Sequence, residues 1–268
     1  MQIGFVGGGQ MARALGRGFV EAGLVRGGDV RAFDPSREAL QAFVEQVPGA
    51  SAAAGNAEVA QASEVVLLAV KPQHLQAACG EIREHLDADK LVVSIAAGVT
   101  LRRLAGWLNH RRLVRVMPNT PCLVRTGASA FALAAEADED DALTVEKLLG
   151  AVGVALRLDE SLLDAVTGLS GSGPAFVYTM IEAMTDAGVR VGLPRTAAAA
   201  LACQTVRGAA EMVVVEREHP AVLRDRVTSP GGTTIAGMAQ LERHGFRAAL
   251  IAAVEAATLR SKELGESD

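Results

Sequence analysis

The chain predicts an α/β fold: an N-terminal doubly wound sheet followed by an all-α domain. Three observations carry this. The chain opens on a strand, a glycine-rich turn and a helix; apolar runs and helical patterns then alternate over residues 1–158; and from Ser161 on there is no buried strand, only a succession of alanine-rich helical patterns. The change of pattern sets the expected domains at 1–158 and 159–268.

Composition narrows the function. Half of the 268 residues are hydrophobic, enough for a large core, and a net charge of −5 with scattered arginines gives no basic footprint for nucleic acid. Cys79, Cys122 and Cys203 are far apart and odd in number, which suits free thiols in a reducing compartment. The five histidines lack metal-ligand spacing, so no metal is expected. No charged segment precedes an apolar stretch at the start, and no run reaches the roughly eighteen apolar residues of a membrane span. The expectation is a soluble cytoplasmic protein.

The opening element is the most informative. Ile3-Gly4-Phe5-Val6 is apolar, Gly7, Gly8 and Gly9 follow, and Met11, Ala12, Leu15 and Phe19 recur at helical spacing. Gly7-x-Gly9-x-x-Ala12 fits the dinucleotide fingerprint of a Rossmann-type domain. Gly7 makes the turn, Gly9 admits a pyrophosphate, and small Ala12 lets helix approach strand. The helix-start N–H groups, from Gln10 and Met11 on, then face the phosphates.

Residues 30–33 form the second strand, ending in Asp34-Pro35-Ser36-Arg37. An acidic residue there accepts from the 2′-OH of NAD, so Asp34 favours NADH, whereas Ser36 and Arg37 suit the 2′-phosphate of NADPH. A plain helix cap by Asp34 with Arg37 solvated is the alternative. A helix over 36–47 leads to Asn56, which opens a short helix. Val65-Val66-Leu67-Leu68-Ala69-Val70 reads as a strand covered on both faces, with Lys71-Pro72 at its ligand-facing carboxyl end.

Residues 91–95 form another buried strand, ending in the small Ala96, Ala97 and Gly98. A strand over 113–117 runs into Pro118-Asn119-Thr120-Pro121-Cys122, where two prolines forbid helix and a rigid loop displays an amide and a hydroxyl. Edge strands are expected at 128–133 and 153–158, around a helix over 139–151 with an acidic first turn.

In the second domain, Gly168-Leu169-Ser170-Gly171-Ser172-Gly173-Pro174 starts a long helix with Pro174 in its first turn. Pro194 and His219-Pro220 open the next two. Helices so poor in large side chains are badly placed to form a core alone, so their faces are expected to be buried in a partner subunit. Ser229-Pro230-Gly231-Gly232-Thr233-Thr234 then precedes a helix over 235–244. First-turn N–H groups of Gly232, Thr233 and Thr234, with a helix dipole behind them, would hold a carboxylate; an N-cap by Ser229 or Thr233 is the alternative.

In order, Gly4 to Ala12, Ala69-Val70-Lys71-Pro72, Ser94-Ile95-Ala96-Ala97-Gly98-Val99-Thr100, Met117-Pro118-Asn119-Thr120-Pro121, residues 164–175 and residues 229–235 resemble the pyrroline-5-carboxylate reductases, which make L-proline. The resemblance runs essentially the whole length. It implies a Rossmann domain followed by an all-helical dimerisation domain, active sites at the dimer interface, and often a decamer of five dimers. It further implies that Val6, Gly7, Gly8, Gly9, Gln10 and Met11 hold the pyrophosphate and Asn56 the adenosine ribose of NADPH or NADH. Ala69, Val70, Lys71, Pro72, Ala96, Ala97 and Gly98 would lie on the nicotinamide side. Ser229, Gly232, Thr233 and Thr234, with Glu160, would hold the substrate 1-pyrroline-5-carboxylate, Thr234 bonding the ring nitrogen. Asp34 departs from the small polar residue common in NADP-using members.

A protonated cyclic imine is already an electrophile, so the reaction needs positioning more than acid–base power, and no His, Asp or Glu lies within 229–235. A β-hydroxyacid dehydrogenase shares the domain order but needs a base, typically a lysine in the second domain. The chain has none between Asp159 and Ser261. A dinucleotide-sensing protein without catalysis is the other rival, against which the loop at 229–234 stands.

Overall fold

The structure is a computed structural model that describes residues 1–266. It divides into two compact units, one of Met1–Ser172 together with the chain from Glu255 on, the other of Gly173–Val254.

In the first unit, β1 (Ile3–Val6), β2 (Val30–Phe33), β3 (Ser51–Ala52), β4 (Val65–Leu68), β5 (Leu91–Ser94), β6 (Leu113–Met117), β7 (Gly127–Leu133) and β8 (Gly153–Arg157) form one sheet in the order β3-β2-β1-β4-β5-β6-β7-β8. All neighbours are parallel except β6 and β7. The order reverses between β1 and β4, the switch point at which such sheets bind ligands. Ile3 pairs with both Val30 and Val65, so the carboxyl ends of β1, β2 and β4 come level there.

Connecting helices cover both faces: α1 (Gln10–Glu21), α2 (Arg37–Gln46), α3 (Asn56–Gln61), α4 (Pro72–Ile82), α5 (Leu101–Leu108) and α6 (Glu139–Gly150). Strand alternation divides the core accordingly. Ile3 and Phe5 point into one layer with Leu15, Phe19 and Phe43, and Val6 into the other with Leu68, Leu75 and Leu104. Phe5 meets Phe43 in a tilted arrangement, with ring centroids 5.2 Å apart. Gly4 is required by packing, since a Cβ there would sit 2.3 Å from the Ser63 hydroxyl on the covering layer.

Four expectations change in this unit. The 128–133 strand is not an edge: β7 lies between β6 and β8 and is largely buried, and the edges are β3 and β8. Residues 120–124 wind into a 3₁₀ turn, which the prolines permit because Pro121 sits at its start, where no N–H is needed. The Asn119 amide is buried rather than displayed, donating to the Ser170 carbonyl at 3.0 Å and accepting from the Ala128 N–H at 2.8 Å. Helix also begins before Gly168: α7 (Leu163–Val166) passes through a π-helical turn, Thr167–Gly171, into α8 (Gly173–Arg190), whose first turn holds Pro174.

The stretch from Asp159 to Ser172 therefore belongs by contact with the sheet. Leu163 is fully buried in its second core layer. Arg115 on β6, 5% exposed, pairs with Glu160 and with Asp164. Ser261 on the last helix, α12 (Phe246–Glu266), donates to Asp164 at 2.7 Å, once α9 (Arg195–Glu216), α10 (Pro220–Arg226) and α11 (Thr233–Arg243) have intervened in the chain. By compactness the first unit runs to Ser172 and also takes in the end of α12.

The second unit contains α8 to α11 and the start of α12. Gly188 lets α8 and α9 close up, as a Cβ there would lie 2.9 Å from that of Ala198. Only Thr185, Ala198 and Ala202 are buried in it, while Tyr178, Val214, Val215 and Ile251 are 60% exposed or more. By length and composition alone, α9 is long and apolar enough on average to cross a membrane. Its alanines and valines raise the average without forming an unbroken apolar run.

Candidate active site

The glycine turn has the geometry its sequence requires. Gly7 has φ +100°, and a Cβ on it would lie 2.9 Å from the Ala69 carbonyl and the Val70 side chain. Gly7 N–H donates to Phe33 O at 2.8 Å, so the turn is tied to β2 as well as resting on the end of β4. Gly9 is the N-cap of α1 without a side-chain cap, and a Cβ on it would meet nothing within 4 Å. The first helical bond runs from Arg13 N–H to Gly9 O, which leaves the N–H groups of Gln10, Met11 and Ala12 without helical acceptors. Open space at Gly9 in front of uncapped donors fits a pyrophosphate.

Asp34 is not the helix cap. Ser36 is, accepting from Ala39 N–H at 3.2 Å. The Asp34 carboxylate instead accepts from Gly8 N–H at 2.9 Å and Ser36 N–H at 2.8 Å, which fastens the end of β2 to the glycine turn. Arg37 is exposed and has no ion pair among the described residues. Lys71 is the exposed N-cap of α4, with Pro72 at the first helical position. Ala96 and Gly98 are buried and Ala97 half-buried; Gly98 (φ +74°) lies against the backbone of Gly265 on α12.

Asn56 is 8% exposed at the start of α3, with its Nδ2 donating to Glu81 at 2.8 Å and its Oδ1 buried and unbonded. Glu160 is engaged already: one oxygen accepts from Leu101 N–H at 2.7 Å and from Arg115 at 3.2 Å. Neither buried cysteine offers a nucleophile at neutral pH, since burial pushes the Cys79 thiol up to about 12 and raises Cys122 as well.

In the second unit, α10 ends at Arg226 and the chain turns through Gly231, φ +66°. Gly232 N–H donates to Ser229 O at 3.1 Å, so this donor is used within the turn rather than left for a ligand. A Cβ on Gly232 would lie 2.3 Å from the Ser229 hydroxyl, so only glycine lets Ser229 sit there. Helix α11 starts at Thr233, two residues before the expected Ile235, with Gly232 as N-cap. No side chain caps it, which removes the cap reading of Ser229 and Thr233. Thr233 and Thr234 thus occupy its first two positions, where backbone N–H groups have no helical acceptor.

Two features escaped the sequence. Glu81 and Ser261 each contact a partner 25 and 97 residues away in the chain, and no local pattern marks such pairs.

A dinucleotide cradle at a sheet's switch point, followed in the chain by a helical unit with an uncapped helix start, defines an NAD(P)-dependent oxidoreductase with a helical second domain. The chain belongs to the pyrroline-5-carboxylate reductase family. Residues 160–264 match the family model for pyrroline-5-carboxylate reductase dimerisation, and residues 2–98 match that for NADP oxidoreductase, coenzyme F420-dependent. Pyrroline-5-carboxylate reductase of Arabidopsis thaliana is 46% identical over 99% of this chain and 96% of its own. That of Methanosarcina acetivorans is 44% identical over 99% and 98%. Among solved structures, the Coxiella burnetii enzyme superposes with a TM-score of 0.91 at 36% identity, covering 98% of each chain. The Plasmodium falciparum pyrroline carboxylate reductase with NADP bound gives 0.89 at 32%, covering 99% of this chain and 98% of that one.

Proposed function

We propose that the protein transfers a hydride from NADPH or NADH to the cyclic imine 1-pyrroline-5-carboxylate, giving L-proline. The uncapped start of α11 carries this reading: two threonines present N–H and hydroxyl groups beside a fixed Ser229, with no titratable side chain from 229 to 235. Such a site holds a carboxylate and orients a ring, and it has no base with which to oxidise an alcohol.

In unit one, residues 6–11 hold the pyrophosphate and Asn56 the adenosine ribose. Asp34, Ser36 and Arg37 set the choice between 2′-OH and 2′-phosphate. Ala69, Val70, Lys71 and Pro72, with Ala96, Ala97 and Gly98, flank the nicotinamide, which supplies the hydride when the cofactor is bound. Ser229, Gly232 and Thr233 receive the substrate carboxylate, Gly232 by shaping the turn. Glu160 contributes through the oxygen that Leu101 and Arg115 leave free. Thr234 Oγ1 bonds the ring nitrogen and orients it; an alcohol is too weak an acid to be the neutral-pH proton donor, so the proton arrives on the imine or through water.

The division of labour is 1–158 for the dinucleotide and 159–268 for dimerisation and substrate. The helical unit forms the homodimer, and five dimers a decamer. Its support is the exposed apolar surface of α9 and a groove of about 540 Å³ lined by Phe176, Met180, Met184, Leu241, Phe246 and Leu250. A second copy covering α9 accounts for its hydropathy without a membrane. The free cysteines fit a cytoplasmic location, and the acidic balance gives nucleic acid no foothold.

The test is substrate truncation. Turnover of 1-pyrroline lacking the carboxylate should fall at least about a hundredfold in kcat/KM, the effect of leaving charge-assisted donors unpaired. Equal turnover of the two imines would remove the carboxylate site from the account.

A further inference from the structure

Asn56 stands where the chain leaves β3 on the same side of the sheet as Asp34, because Ala52 pairs in parallel with Ala32 and Ala53 N–H donates to Ala32 O. Its amide is more than nine-tenths buried, yet only one end has a partner: Nδ2 donates to Glu81 Oε2 at 2.8 Å, and the enclosed Oδ1 accepts nothing. A carboxylate only accepts, so contact with Glu81 permits a single amide orientation, with nitrogen toward α4 and oxygen away from it. An enclosed acceptor without a donor is disfavoured in a finished core and expected where a ligand hydroxyl completes it.

We propose that Glu81 is a positioning residue for the cofactor: it holds the Asn56 amide so that Oδ1 accepts from a hydroxyl of the adenosine ribose. This rests on the reading of Asn56 as a ribose contact. Glu81 itself is exposed on α4 and touches no reacting atom. It acts by removing the alternative amide rotamer, in which a donor would face the ribose hydroxyl.

The experiment is calorimetric titration of the purified enzyme with NADP⁺, alongside steady-state kinetics and thermal melting. Glu81→Ala should weaken binding and raise the cofactor KM roughly three- to thirtyfold, the range for one lost hydrogen bond, with kcat at saturation within about twofold and melting unchanged. Glu81→Gln, whose carbonyl still accepts from Nδ2, should recover most of the affinity. Glu81→Lys, which only donates and would turn the amide round, should bind no better than Glu81→Ala. In an Asn56→Ala background, Glu81→Ala should add nothing. Wild-type affinity in Glu81→Ala with loss in Asn56→Ala would overturn the role of Glu81 alone. Wild-type affinity in Asn56→Ala would overturn the ribose contact on which it rests.

Discussion

Gly9, Asp34 and Thr234 each test one step of the chemistry. Gly9→Val should leave melting nearly unchanged, because a side chain there meets no protein atom within 4 Å, while abolishing dinucleotide binding by filling the pyrophosphate space. Calorimetry on a folded variant checks this, and retained affinity would remove the glycine turn from the site. Asp34→Ser should move the ratio of kcat/KM values toward NADPH by about tenfold, since a carboxylate repels a 2′-phosphate and can accept from a 2′-OH. Because Asp34 also anchors Gly8 N–H, the variant should lose some affinity for both cofactors. An unchanged ratio would leave it as an anchor only. Thr234→Ala should slow turnover roughly ten- to a thousandfold, about 1.5–4 kcal/mol for a lost bond to a charged group and transition-state donor. The pH–rate profile should keep both limbs; loss of a limb would make Thr234 the proton donor instead.

At the level of elements, legibility followed the range of the interaction. β1, β2 and β6 lie where their apolar runs place them, and the glycine turn was readable because its chemistry is local. The position of β7 inside the sheet was not, since only pairing across the chain distinguishes an interior strand from an edge. Sequence pattern puts the start of α11 two residues late because threonine is a poor helix signal, although its first-turn positions need no propensity when glycine turns the chain into it. The anchoring of α12 was invisible for the same reason as the Asn56 contact: Asp164 meets Arg115 and Ser261 only in three dimensions. Asp164→Ala should therefore destabilise the chain by about 1–3 kcal/mol, less than a fully orphaned buried charge because Glu160 still faces Arg115. Urea unfolding measures this, and a loss below about 0.5 kcal/mol would make the network incidental.

The whole molecule joins a unit that closes its own core to one that does not. Eight strands and two apolar layers complete the first, whereas the second leaves large apolar side chains along α8, α9 and α12 uncovered. Sedimentation should accordingly show a dimer or a multiple of it at every concentration where the protein is folded and active. A folded, active monomer would contradict that. The central claim is narrower and is tested by oxidation of NADPH and of NADH, followed in parallel, on adding 1-pyrroline-5-carboxylate to the purified protein. Stoichiometric formation of L-proline with both cofactors, at specificity constants within about tenfold of one another, is the result the Asp34 geometry predicts. Cofactor binding without turnover of the imine would contradict the account and leave a dinucleotide-binding protein of another function.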